Sequence, residues 1–270
     1  MLFRSAQGMA NTVWAFATAS VAAGPLFKAV AAEVPRRIGE FNAQDMANTV
    51  WAFATAGVAD PSLFKAVAAE VPRRIGEFNA QAMANIAWAF ACVGWEQHHI
   101  FEELGSYLVA HFYDFNEAQK SQFYLVALYM QVQWPDRDIP FSTSLQSLRF
   151  AYTRRLKSRP SQLHHDISTT MKQAGWVHTF EHETAEGFSL DFAQPESKLA
   201  VEVDRPWHYL KDVSSGEYVI NGATRFKLRQ LRRFGWTVAH ISFLDWGHKS
   251  EPERRQLVAA MLDELGISVE

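Results

Sequence analysis

Residues 43–79 read AQDMANTVWAFATAGVADPSLFKAVAAEVPRRIGEFN, and residues 6–42 read AQGMANTVWAFATASVAAGPLFKAVAAEVPRRIGEFN. The two stretches agree at 32 of 37 positions. A third copy occupies 80–116, and EAQKSQFYLVALYMQV from 117 is a decayed fourth. A fixed period of this length marks a solenoid, whose units bury their apolar faces only against one another. Asn42, Asn79 and Asn116 are placed as helix N-caps. Each precedes a first helix of roughly 14 residues that ends near Gly57 or its equivalent. Asp60-Pro61-Ser62 opens a second helix from about Leu63 to Ile75, which Pro72 should kink or end. The sequence thus predicts an α-solenoid of helix-turn-helix repeats over 1–134. The near identity of its first two units suggests recent duplication, and the lack of a complete capping helix at its start leads to the expectation that it is the tail of a longer array.

On the first helix of each unit, Met46, Val50 and Phe53 fall at i, i+4, i+7 and read as core, as do Met9, Val13, Phe16 and Met83, Ala87, Phe90. A second stripe at the same spacing carries Gln44, Asn48, Trp51 and Thr55. It recurs as Gln7, Asn11, Trp14, Thr18 and as Gln81, Asn85, Trp88. Amides that bond base edges beside an indole that stacks are the equipment of single-stranded RNA readers, which makes Asn11, Asn48, Asn85 and Trp51 candidate RNA-binding residues. The alternative is that Trp51 packs between units and Asn48 satisfies a backbone group. Arg36, Arg37, Arg73 and Arg74 repeat as well and are placed either for phosphates or on a solvated face.

The totals set limits. A chain of 270 residues, 48% hydrophobic, is long enough for two cores. A formal charge of −3 argues against a surface that grips nucleic acid everywhere, so any such site is local. The single cysteine, Cys92, excludes an internal disulfide framework, and no apolar run is long enough to span a membrane. The first 32 residues hold Arg4 and Lys28 and no acid, like a transit peptide. The repeat already accounts for that composition, so no convincing transit peptide is read here.

Residues 135–158 read as a linker and bridging helix, closed by Arg154, Arg155 and Lys157, where positive charge suits a helix C-terminus or meets phosphate. From 159 the grammar changes. A helix over SQLHHDISTTMKQAGW precedes the extended runs VHTFEHET, FSLDFAQP and KLAVEVD. Then come a helix from about Asn221, a strand WTVAHISFLDW and a last helix EPERRQLVAAMLDELG. This order predicts an α/β domain with a mixed sheet over 159–270. Arg225, Lys227, Arg229, Arg232 and Arg233 make the densest basic cluster. Arg225, Arg229 and Arg232 share a helical face, and Asn221–Thr224 form a turn with free amides for a phosphate. Arg225, Lys227, Arg229 and Arg232 are therefore RNA-binding candidates, against the plainer reading of a solvated face. Trp207, Tyr209, Trp236 and Trp246 read as core.

The strand with Glu202 and Asp204, then Pro206, His208, Asn221-Gly222-Ala223-Thr224, Lys227, Gly235-Trp236 and Trp246, resembles the RAP domain over 195–265. That domain is found in FAST-kinase-domain-containing proteins and organellar RNA factors, where similar 37-residue helical repeats accompany it. Arg205 stands where the family usually has glycine. The resemblance implies an RNA-binding protein acting in mitochondrial or chloroplast RNA processing or stability, including ribosomal RNA processing and mRNA stability. Its partners would be single-stranded organellar mRNA or rRNA and, through the repeats, other proteins.

The RAP domain in turn resembles the PD-(D/E)xK, restriction-endonuclease-like fold. That likeness implies an alternative, a metal-dependent endoribonuclease. Asp191 and Glu202 match its two acids, and Asp204 stands at its lysine position. Asp191, Glu202 and Asp204 would hold Mg²⁺ or Mn²⁺, Asp166 would join them, Lys227 would replace the lysine and His208 would serve as acid or base. No cofactor is otherwise implied. A protein-interaction scaffold is the third reading. Zinc spacings, a phosphate-cradling GxxxxGK[ST], a nucleophile elbow and kinase loops are absent from the sequence.

Overall fold

The computed structural model describes residues 5–155 and 160–267; Arg4 and Lys157 lie outside the described residues. The chain divides into two compact units, Met1–Tyr152 with Trp207–Lys227, and Thr153–Pro206 with Leu228–Glu270. The segment 207–227, assigned by sequence to the C-terminal region, is thus counted with the repeats. The α-solenoid followed by an α/β domain is present, and no described helix is long and apolar enough to cross a membrane.

In the first unit the first helices of the repeats are α1 (Ala6–Thr18), α3 (Ala43–Thr55), α5 (Ala80–Val93) and α7 (Glu117–Gln133), and the second helices are α2 (Gly24–Arg37), α4 (Pro61–Glu70) and α6 (His99–Ala110). The asparagine caps form as expected. Asn42, Asn79 and Asn116 each accept an amide of the first turn, and Asn42–Asp45 and Asn116–Gln119 close reciprocal capping boxes. Successive first helices are the most extensively packed pairs. Alanine makes this packing close, since Ala47, Ala54, Ala84 and Ala91 are fully buried without bulk. Larger side chains fill the space toward the second helices, where Phe27 meets Phe53 at 5.0 Å and Phe64 meets Phe90 at 5.2 Å, both edge to face.

The second helices end earlier than the sequence predicted. α4 stops at Glu70 and continues as 3₁₀ turns over Pro72–Glu77, with the proline at the changeover. In the first repeat α2 passes through Pro35, and the backbone leaves helical values at Arg37, φ −125°, as it does at Arg74, φ −123°. These arginines hold the turn. Arg37 pairs with Glu40 at 2.6 Å, and Arg74 pairs with Glu77 at 2.6 Å while donating to the Phe41 carbonyl at 2.7 Å. The last bond ties two repeats together, so Arg74 has a structural role, while Arg37 is paired within its own turn. Arg36 and Arg73 remain exposed beside Glu33 and Glu70.

A hairpin absent from the sequence reading completes this unit. Strands β5 (Tyr209–Asp212) and β6 (Tyr218–Ile220) pair antiparallel, and β5 runs parallel to β1 (Val21–Ala22), which follows α1. The 207–227 segment then enters helix α10 (Gly222–Arg233) at a point of extreme proximity. A Cβ on Gly222 would lie 1.7 Å from the Ala54 carbonyl oxygen at the end of α3. No side chain fits there. The turn read as a phosphate cradle is therefore a docking surface: Asn221 Oδ1 accepts the Thr224 amide, and its Nδ2 donates to the Trp207 carbonyl.

The second unit contains α9 (Gln162–Gln173), strands β2 (Thr179–Glu183), β3 (Ser189–Gln194), β4 (Leu199–Asp204) and β7 (Thr237–Ser242), and helices α11 (Phe243–Gly247) and α12 (Glu251–Glu264). The sheet order is β2-β3-β4-β7, antiparallel except for the parallel pair β4–β7, which is the mixed sheet expected. One row across it, Phe180, Phe192, Val201 and Ala239, faces a core closed by Ile167, Met171, Trp246 and Val258. The last predicted strand is shorter than WTVAHISFLDW. Ser242 accepts the Leu244 amide and starts α11, burying Trp246. Bridging helix α8 (Leu145–Arg155) ends in the expected basic residues.

Gly222→Ala is expected to lower stability by about 2 kcal/mol or more in urea denaturation, since neither the α3 carbonyl nor the helix start has room to yield. Gly76→Ala, where nothing lies within 4 Å of the new methyl, is the control and should stay within about 0.5 kcal/mol of wild type.

Candidate nucleic-acid interface

Burial on α3 is nearly complete except along one line. Gln44, Asn48, Trp51 and Thr55 are its residues outside the core, and the equivalent Gln7, Asn11, Trp14 and Thr18 of α1 are exposed. The amide–indole stripe is therefore a surface lane, while Met46, Val50 and Phe53 are fully buried as predicted. Within the lane Gln44 Nε2 donates to Asn48 Oδ1 at 2.7 Å, one helical turn apart. Trp14 is 43% exposed, and the Trp51 ring lies 6.5 Å from that of Trp88, tilted by 38°.

The third repeat departs from the other two. Asn85 and Trp88 are buried, at 9% and 7% exposure. Asn85 Oδ1 accepts from both Gln81 Nε2 (2.8 Å) and Gln122 Nε2 (3.2 Å), and Gln81 Oε1 accepts from Gln119 Nε2 (3.0 Å). Asn85, a predicted RNA contact, is thus consumed in an internal amide network. The lane is open on α1 and α3 and closed on α5.

The basic candidates divide similarly. Arg225 is exposed and its guanidinium reaches the Gly57 carbonyl at 3.4 Å; Arg232 is exposed in the last turn of α10, where it complements the helix dipole. Lys227 and Arg229 are half-buried. Trp207, expected in the core, is 60% exposed, whereas Tyr209, Trp236 and Trp246 are buried. A short 3₁₀ turn over Pro206–His208 leaves the indole outside while the following strand carries Tyr209 inward.

Asp191, Glu202 and Asp204 lie in the second unit; His208 and Lys227 belong to the first. Continuing the β2–β3 and β3–β4 registers by one residue sets Glu181, Asp191 and Glu202 in one row, which the β4–β7 pairing extends to His240. The row lies on the sheet face opposite the core. Asp191 Oδ2 accepts the Val203 amide at 2.7 Å, and its Oδ1 lies 3.4 Å from His164 Nε2. His164, fully buried, is held by Ser161 Oγ at 2.7 Å and by Arg205 Nη2 at 3.1 Å. Arg205, the departure from the family glycine, thus reaches the row through His164 and places a positive charge near Glu181. Asp204, 1% exposed, pairs with His240 Nδ1 at 3.0 Å. Asp166 is exposed and bonded to Gln162. Among the described residues no three His, Cys, Asp or Glu side chains are grouped to hold a metal ion. Asp191, Glu202 and Asp204 are not grouped in this way; Asp191 lies beside His164 and Asp204 beside His240.

Sequence reasoning overlooked Glu181, His164 and His240. The period of two along each strand, with the register, was the signal that would have brought Glu181 and His240 to the row of Glu202. Burial pushes the Glu181 carboxyl above its ordinary range, and Asp191 adds to this, while His164, Arg205 and Ser189 pull the other way. Its Oε1 is buried without a hydrogen-bond partner, and its backbone takes a left-handed φ of 51°.

Two family models match. Residues 201–259 match the RAP domain, so the chain carries one where the motif residues had placed it. Residues 3–133, the repeat array, match the model described as RNA-editing substrate-binding complex 6 protein.

A raised carboxyl in the folded state favours folding while protonated and disfavours it once ionised. Stability therefore falls as pH climbs from the ordinary glutamate range through the raised value. Glu181→Gln removes that loss. Its thermal midpoint should exceed wild type at pH 7 to 8, and the gap should close as the pH is lowered below 4.

Proposed function

We propose that this chain binds single-stranded RNA in mitochondrial RNA processing, with the repeats contacting bases and the RAP domain holding the strand's backbone or end. The observation that carries the reading is the open lane on α1 and α3, where the amides and indoles lie outside the core and, on α3, form the one uncovered stripe of an otherwise buried helix. Base-edge amides beside a stacking ring suit unpaired RNA, whose bases are splayed and accessible. The match of the array to an RNA-editing substrate-binding family and of 201–259 to the RAP domain supports RNA as the ligand. Of the two organelles implied by the sequence resemblance, the editing-complex family favours the mitochondrion over the chloroplast.

With a net charge of −3 and Arg37 and Arg74 committed to ion pairs, binding by stacking and hydrogen bonds should be less salt-dependent than that of a basic RNA binder. The test is fluorescence anisotropy with a labelled single-stranded 12-mer, in Mn²⁺ and in chelator, with the RNA recovered on a gel. Equal binding in both and intact RNA are expected. Trp14→Ala should weaken affinity about tenfold, as loss of one stacked base does. Metal-dependent fragments that vanish in an Asp191→Asn, Glu202→Gln double variant would establish the endoribonuclease instead. No RNA bound, with capture of a protein partner, would establish the scaffold.

A further inference from the structure

A cavity of about 330 Å³ opens in the first unit between the start of α4 and the turn that joins α5 to α6. Pro61, Phe64 and Trp95 wall it, and Asp60 and Glu96 are among its lining. Neither acid is in an ion pair among the described residues, and no lysine, arginine or histidine lines the cavity. The aromatic wall is preformed. Trp95 packs edge to face on Phe90 at 5.5 Å, lies 6.3 Å from Phe64, and its carbonyl accepts the Tyr129 hydroxyl at 2.7 Å. Its Nε1 is buried, so the indole sets no N–H donor against a cation. We propose that this cavity takes an arginine side chain of a protein partner. The proposal goes beyond the RNA-binding reading and does not rest on it.

The chemistry of the walls selects the occupant. A guanidinium stacks its plane on an aromatic face while the N–H donors of its rim reach carboxylates, whereas an ammonium is a compact, strongly hydrated charge without a plane. RNA is the wrong ligand here, because its phosphates would meet two carboxylates and like charges across an interface cost affinity. An apolar side chain would strip water from the acids and give them no counter-charge in return.

Repeat identity supplies an internal control. One unit earlier the counterparts of Asp60, Trp95 and Glu96 are Ala23, Val58 and Ala59, and the array forms there without an acid pair or an indole. Asp60 and Pro61 are two of only five positions at which the first two units differ. Asp60 also caps α4, its Oδ1 accepting the Leu63 amide at 2.9 Å, yet α2 starts after Ala23 with no side-chain cap. The cap accounts for one oxygen of Asp60 and for nothing in Glu96, which is exposed. What the solenoid does not require, a cationic side chain would use.

The test follows the indole signals of the full chain, whose nine tryptophans are labelled with ¹⁵N, and Trp95→Phe identifies the signal of Trp95. Acetyl-Gly-Arg-Gly-amide is titrated beside the same peptide with citrulline, the uncharged isostere of arginine, and beside octa-uridylate. The arginine peptide should move the Trp95 signal, and the citrulline peptide should bind about tenfold more weakly. Asp60→Asn with Glu96→Gln should also weaken the arginine peptide about tenfold, with asparagine keeping the α4 cap and the other indole signals staying in place. A Trp95 signal that the arginine peptide leaves unmoved overturns the proposal, and if octa-uridylate moves it the cavity is a nucleotide site instead. Equal binding of the two peptides, or no loss in the folded double variant, overturns it as well.

Discussion

Alanine packing between successive first helices is the constraint on which the array depends. With methyl groups at Ala47, Ala54, Ala84 and Ala91, neighbouring backbones approach closely, and bulky side chains are directed to the second helices instead. Once two sides of α3 are used in this way, a single stripe remains uncovered, and it carries Gln44, Asn48, Trp51 and Thr55. The lane is thus the residue of packing. Its polar and aromatic character is not needed for burial, and it recurs in α1 with the rest of the near-identical unit.

The same closeness positions the 207–227 segment. Gly222 meets the Ala54 carbonyl where no Cβ fits, and Cys92 Sγ approaches that oxygen to 3.7 Å. The turn after α3 is made by Gly57 in the left-handed region, φ 69°, and its counterpart in the first repeat is Ser20, φ 57°. A serine there carries the steric cost that glycine avoids. Ser20 also supplies the carbonyl that accepts the Lys211 amide and starts the pairing of β1 with β5. Two repeats that differ at only five positions thereby acquire different tasks, one holding a strand and the other a helix start.

What the sequence disclosed follows from the range of the interactions involved. The solenoid, its asparagine caps and the core stripe were legible because they are set within one 37-residue unit or between identical neighbours. The α-β-β-β-α-β-α order was legible from period and turn residues. The hairpin was missed, because strands of four and three residues give too short an alternation, although Asp212–Gly216 is a turn sequence in which Asp212 caps the Ser214 and Ser215 amides. Trp207 was assigned to the core from its residue type, and only the 3₁₀ turn at Pro206 decides that it lies outside. The acidic row had its three family-implied carboxylates in view, but the placement of His164 beside Asp191 and of His240 beside Asp204 is a tertiary fact.

The closing of the lane at the third repeat traces to the decayed fourth. At the position of Gly8, Asp45 and Ala82 that unit has Gln119, and at the position of Asn11, Asn48 and Asn85 it has Gln122. Gln119 Oε1 accepts the Asn116 amide in the capping box of α7, so its Nε2 is aimed outward and donates to Gln81 Oε1. Gln81 must then donate to Asn85, which receives a second donor from Gln122. A direction fixed by a backbone amide passes through three side chains and ends in a buried carbonyl. The second repeat keeps the last step of that relay, Gln44 to Asn48, without the cover. Decay of one unit has therefore ended the exposed lane, while the orientation it enforces in the third copy is the one the second copy presents to solvent.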